Sequence, residues 1–262
     1  MAKMPTPPVP SALHPPPRKP GSKPRPQGRA EKGINVVDWV DERTSMSGGM
    51  RWLLFRKVPK GNWAYTLGSA AMFAFLAQAV TGIFLAMYYD PSVLHAYDSA
   101  RYITNTAFLG QFVRGMHKWG SSVMVVLVFL HMARTFFFGA YKYPRELTWV
   151  IGVVLLILTM IMSFTGYLLP FDQRSYWATI VGVNTSVGGA PFLGPYIADF
   201  LRGGPEFGAT TLSRFYSIHM LLIPGLMAAM IGAHLYLVAK LGITAPPWHK
   251  VHENDELKKT EV

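Results

Sequence analysis

The chain has 262 residues, of which 50% are hydrophobic and only 15% charged, whereas soluble domains usually carry about 25% charged residues. It contains no cysteine, which excludes disulfides, iron–sulfur clusters, thiolate metal sites and any thioether-linked prosthetic group. The net charge of +11 is sorted by segment and is not interleaved with a recognition motif, so it does not point to nucleic acid.

Residues 1–33 are rich in proline and basic residues, cannot build a core, and read as a disordered tail. They hold no long apolar run of the kind a secretory signal needs. In residues 34–47, Ile34, Val37, Trp39 and Val40 are interspersed with Asp38, Asp41 and Glu42. That pattern predicts a short amphipathic helix on a membrane surface, with an ordinary linker as the alternative. A bundle is expected over residues 48–246 and a polar tail over 247–262.

Within the bundle, charge disappears in long blocks. Trp63 to Tyr89 and Leu147 to Leu169 carry none, and Phe215 to Ala239 is interrupted only by His219 and His234. A hydrocarbon core about 30 Å thick takes roughly 20 apolar residues of helix. Four segments meet that length, at about 64–89, 115–138, 147–169 and 213–239. In lipid the backbone must satisfy its own hydrogen bonds, so these are expected to be helices. The fold class is thus all-α, a transmembrane four-helix bundle.

The connections have distinct characters. A loop of about 25 residues follows the first span, and a short turn around Tyr143-Pro144-Arg145-Glu146 joins the second and third. Pro144 is expected to begin a helix, where its missing N–H costs nothing. The long segment 170–212 is rich in glycine, proline and aromatic residues and predicts short surface helices. Nineteen Lys and Arg fall on the side of the termini and six on the other. The positive-inside rule then puts both termini in the cytoplasm, with a bacterial cytoplasmic membrane as the expected location.

His117 and His131 are 14 residues apart on the second span, and His219 and His234 are 15 apart on the fourth. At about 100° and 1.5 Å per residue, each pair shares a helix face and is separated by roughly 21 Å. The second and fourth spans run in the same direction, so His117 is expected level with His219 at the outer side, and His131 with His234 at the inner side. Pro224 is expected to kink the fourth span and absorb the extra residue. A lone intramembrane histidine can be a hydrogen-bonded polar contact. Four at matched depths suit two haem irons, each with two axial imidazoles and no open coordination site.

Glycines repeat the interval. Gly68 and Gly82 are 14 apart on the first span, and Gly152 and Gly166 are 14 apart on the third. Glycine lets a helix or a flat macrocycle approach bare backbone. Arg114, Arg134 and Arg214 stand near the histidines and are candidates to pair with haem propionates, interfacial anchoring being their other reading.

At these residues the chain resembles the cytochrome b family of quinol oxidoreductases over about residues 34–246, in its short, split b6-type form. The segments that carry the resemblance are Arg114-Gly-Met-His117-Lys-Trp119, Pro144-Arg-Glu-Leu-Thr-Trp149, Thr165-Gly-Tyr-Leu-Leu-Pro-Phe-Asp-Gln173 with Tyr176-Trp177, and Thr211-Leu-Ser-Arg-Phe-Tyr-Ser-Ile-His219. The resemblance implies two non-covalent haem b groups and electron transfer from quinol at the outer face to quinone at the inner face. It implies as partners a Rieske iron–sulfur protein, a c-type cytochrome and a second cytochrome b subunit with the remaining helices, in a dimeric complex. The family's Pro-Glu-Trp-Tyr motif is absent here, so the second subunit is expected to supply it. Thr66 stands where the chloroplast-type protein has the cysteine that anchors a c-type haem, so no covalent haem is expected. Tyr167 is a candidate at the outer quinone site. At the inner site, Ala239 stands where the family often has His or Arg, and Lys240 is the candidate. A di-haem anchor subunit of another quinone-reducing enzyme and a haem-free transporter are the alternatives. The first lacks the paired glycines and the Arg-Glu-Leu-Thr-Trp turn, and the second needs a polar pathway the spans do not offer.

Overall fold

The computed structural model describes residues 63–244. The basic tail, the amphipathic segment 34–47 and the C-terminal tail 247–262 lie outside them. A 3-10 turn, Trp63–Thr66, leads into α1 (Leu67–Ala86). There follow α2 (Ala96–Asn105), α3 (Gly110–Phe137), α4 (Glu146–Leu168), α5 (Gln173–Val181), α6 (Gly194–Arg202), α7 (Ala209–Ser217) and α8 (Ile223–Leu241). Among the described residues there is no strand. Four stretches are long and apolar enough to cross a membrane: Trp63–Ala86, Gly110–Phe137, Glu146–Leu168 and Ala209–Leu241. The last is continuous because a π-helical segment, Ile218–Leu222, joins α7 to α8.

The second and fourth stretches begin earlier than apolarity alone predicts, at Gly110 and Ala209. Their added turns carry Gln111, Arg114 and Thr210. These belong to the helix but stand at the outer boundary, where polar side chains are solvated and a hydropathy reading stops short. At Gly110 a side chain would collide with the carbonyl of Ile103. The glycine therefore lets α2 lie directly against the start of α3.

The π segment shows what form the distortion beside Pro224 takes. The Ile223 N–H bonds to the Ile218 carbonyl, five residues back. Pro224 has no N–H to offer the next carbonyl. The wider turn takes up one more residue than an α turn. The 15-residue interval from His219 to His234 thus covers nearly the advance of 14 α-helical residues, through a π bulge beside the proline and not through a proline kink alone.

Pro144 does not begin a helix. The Tyr143–Pro144 bond is cis, Arg145 is the N-cap and α4 starts at Glu146. The Arg145 guanidinium instead reaches the far end of α8, where it donates to the carbonyls of Leu241 (3.1 Å) and Gly242 (3.3 Å). Those are among the carbonyls a helix end leaves without partners.

In the bundle α1 packs chiefly on α3, and α4 on α8. Two buried clusters tie these hairpins together. One joins Ala74, Met124, Leu158, Ile223 and Met227, drawn from all four spans. It forms an apolar waist halfway along the bundle. The other joins Ala96, Leu168, Val183, Ala198, Leu212 and Phe215 and seats the short helices of the 170–212 segment on the outer end. The Asp172 side chain caps α5 by accepting from the Ser175 N–H at 2.8 Å. Elsewhere the spans expose apolar side chains such as Phe73, Val80, Val126 and Leu221, as lipid or partner helices require.

Candidate functional site

Helix rise and register bring the four histidines together in pairs. The rings of His117 (α3) and His219 (the π segment) have centroids 6.3 Å apart with planes at 77°. Those of His131 (α3) and His234 (α8) are 6.5 Å apart at 78°. Each pair faces across the gap between the α1–α3 and α4–α8 hairpins, one pair on either side of the apolar waist. Two metal–imidazole bonds of about 2 Å each, plus the two ring half-widths, span such a gap. Among the described residues no group of three His, Cys, Asp or Glu is placed to hold an ion. Each site therefore offers two imidazoles, as a six-coordinate haem iron requires, and not the three or four ligands of a zinc site.

The glycines meet the histidines directly. A Cβ at Gly68 would lie 3.1 Å from His131 Cε1, at Gly82 3.3 Å from His117 Cε1, and at Gly152 3.5 Å from His234 Cε1. At Gly166 it would collide with His219 Cε1. The edge of an imidazole thus lies against each glycine, and within each hairpin the glycines of one helix seat the histidines of the other.

Residues not anticipated from the sequence surround the outer pair. The Thr81 hydroxyl donates to the Ala77 carbonyl at 2.6 Å and lies 2.9 Å from His117 Nδ1. The Thr165 hydroxyl donates to Ile161 at 2.9 Å and lies 3.2 Å from His219 Nδ1. His219 Nδ1 is also 3.0 Å from the Met162 carbonyl, which can only accept. Its proton therefore sits on Nδ1, leaving the Nε2 lone pair free for a metal. With its amide oriented to suit its neighbours, Gln78 donates to the His117 carbonyl at 2.9 Å, accepts from the Ser121 N–H at 3.2 Å, and has its amide nitrogen 3.3 Å from His117 Nδ1. A signal for the threonines exists in the sequence, since Thr-Gly occurs at both outer glycines, Thr81-Gly82 and Thr165-Gly166. Leu67-Gly68 and Ile151-Gly152 occupy the inner ones. At the inner level His234 Nδ1 faces the Thr148 backbone without a well-formed hydrogen bond, and both that atom and Thr148 Oγ1 are buried and unpaired.

The three arginines differ. Arg134 stacks over Tyr65 at 3.9 Å and Phe138 at 4.9 Å, with Nε and Nη2 buried and unpaired. Arg114 donates to Thr104 Oγ1 at 2.5 Å, and Arg214 donates to the Phe200 carbonyl. Tyr167, at the outer end of α4, is 47% exposed. Lys240 lies over the Tyr236 ring at the inner end of α8, so the two quinone-site candidates stand at opposite ends of the bundle. Just beyond α1, the Tyr89 hydroxyl donates to the Leu169 carbonyl at 2.6 Å. Burial pushes this phenol well above its usual range, and Tyr216 and Asp90 add to the shift.

Comparison with known proteins gives consistent matches. The family model described as "Cytochrome b/b6/petB" matches residues 56–242. The menaquinol:cytochrome c reductase cytochrome b subunit of Geobacillus thermodenitrificans is 39% identical over 220 residues, 80% of this chain and 98% of that protein. Cytochrome b6 of Heliobacterium modesticaldum is 39% identical over 213 residues, 80% of this chain and 100% of that protein. A chain of the solved "Hyperthermophilic respiratory Complex III" superposes with a TM-score of 0.71 at 31% identity. That match covers 86% of this chain, which spans 63% of the other.

Proposed function

The chain belongs to the cytochrome b/b6 family, and from that premise we propose that it is the di-haem electron-transfer subunit of a quinol–cytochrome c oxidoreductase. The observation that carries this reading is the pair of facing imidazole couples, 6.3 and 6.5 Å between ring centroids, each seated on glycine backbone. His117 and His219 hold the outer haem b, and His131 and His234 the inner one. A haem held by each imidazole pair would supply one-electron exchange.

The remaining chemistry falls to side chains. The unpaired Nε and Nη2 of Arg134 suit a propionate at the inner level, where an unmet buried cation is otherwise costly. Arg114 and Arg214 already hold protein partners and serve the outer propionates only by sharing donors. The apolar waist keeps water from the region between the levels.

Quinol oxidation at the outer face is completed by a second cytochrome b subunit, with a Rieske protein and a c-type cytochrome as electron acceptors, in a dimeric complex. The names of the relatives, a subunit of a menaquinol:cytochrome c reductase and a respiratory Complex III, support a place in such a complex. Tyr167 contributes to the outer quinone site and Lys240 to the inner one. Both termini lie on the inner side of a bacterial cytoplasmic membrane, as the asymmetry of Lys and Arg favours. No covalent c-type haem is held.

Reduced-minus-oxidised difference spectra of the purified complex test the reading. Two b-type components are expected, and His131→Ala should remove one and leave the other. Absence of a b-type signal, or retention of both components in the variant, would overturn it.

A further inference from the structure

The two histidine levels differ in what holds the rings. Both outer imidazoles have Nδ1 within hydrogen-bonding distance of a threonine hydroxyl, Thr81 at 2.9 Å and Thr165 at 3.2 Å. Each hydroxyl in turn donates a hydrogen bond to a helix carbonyl, Ala77 and Ile161. Each outer histidine can therefore donate into a short chain, N–H to O–H to C=O, whose bonds polarise one another. Both threonines are buried, Thr81 at 8% and Thr165 at 1% exposure. At the inner level no side chain hydrogen-bonds either ring among the described residues, and His234 Nδ1 is unpaired. The residues at the corresponding inner positions are Leu67 and Ile151, which have no hydroxyl to offer.

We infer that Thr81 and Thr165 are positioning residues that fix the outer imidazoles in the Nδ1–H tautomer and lower the reduction potential of the outer haem. An Nδ1–H that donates to an acceptor makes the opposite nitrogen a stronger base. A stronger axial base favours the ferric over the ferrous iron, and hydrogen bonding around the ligands is one of the levers by which a protein sets haem potential. The carbonyl of Met162, 3.0 Å from His219 Nδ1, acts in the same direction. The inference rests on the di-haem reading above.

The test is potentiometric titration of the b-type absorbance in membranes holding the full complex, with haem content measured alongside. In Thr81→Val and Thr165→Val the same one of the two components should move to higher potential. Its oxidised-to-reduced ratio at fixed ambient potential should fall roughly three- to tenfold, about 30–60 mV for a one-electron couple. Thr81→Ser, which keeps the hydroxyl, should restore the original value. Ile151→Thr, which offers His234 a hydroxyl at the matching position, should move the other component to lower potential. The inference is overturned if both components stay in place with haem content intact, or if the two valine variants move different components. If a valine variant loses haem, Ile151→Thr decides alone, and an unmoved second component rejects the inference. A wild-type complex without two b-type components would instead reject the di-haem reading itself.

Discussion

At the scale of single residues, the four glycines that meet the histidines are not equivalent. A Cβ at Gly152 would make an ordinary contact with His234 at 3.5 Å, while at Gly166 it would collide with the His219 ring. That ring cannot retreat easily, because Met162 and Thr165 on the same helix as Gly166 hold its Nδ1 against α4. Overpacking a tight contact costs about 1–3 kcal/mol. Gly166→Ala should therefore lose most of one b-type component, and Gly152→Ala should keep both, as read from haem content per complex. Equal losses in the two variants would sink the argument. Spacing made these positions legible, because fixed helix rise converts a 14-residue interval directly into two levels. Thr81 and Thr165 were not legible in the same way. A threonine inside a span usually bonds to the carbonyl one turn back, and only the folded chain adds the histidine. Nor did Arg114 and Arg214 reveal their partners, Thr104 and Phe200, which lie in segments brought close only by the packing of α2 and α6.

At the scale of elements, the long apolar blocks announced four spans, and their ends were less well marked because helices continue past the hydrocarbon. The π segment left no sign except the interval of 15 residues beside Pro224. It suggests a direct test of register. Leu221 and Leu222 are 78% and 60% exposed, so removing one sacrifices no core contact. Deleting Leu222 together with Pro224→Ala should convert the segment to regular α-helix and keep both histidines in register, with both b-type components retained. Deletion with the proline left in place should fare worse, because its ring clashes with the preceding turn and a carbonyl is left unpaired, at a cost of about 3 kcal/mol. Difference spectra and the thermal stability of the complex distinguish the two. If the double change abolishes the outer component, the bulge does more than absorb one residue.

At the scale of the whole molecule, each hairpin is continuous in the chain. Residues 63–137 build the first and 146–241 the second, joined by the short turn around Tyr143, which is 86% exposed. Transmembrane hairpins can form before they associate. A chain split after Ala140 and expressed as two pieces should therefore copurify and bind both haems, as checked by spectra of the copurified pieces. Pieces that fail to copurify would show that the turn is needed for assembly.

The seating of histidine on glycine within each hairpin gives this division a further meaning. The first hairpin runs Gly68, Gly82, His117, His131, and the second runs Gly152, Gly166, His219, His234, in the same sense through the membrane. One plan is used twice in tandem, and the two copies stand face to face. Neither copy alone supplies more than one ligand at either depth. Their meeting completes both depths at once, so the pairing of two imidazoles at each level follows from the use of one order in both halves and needs no separate arrangement at each level.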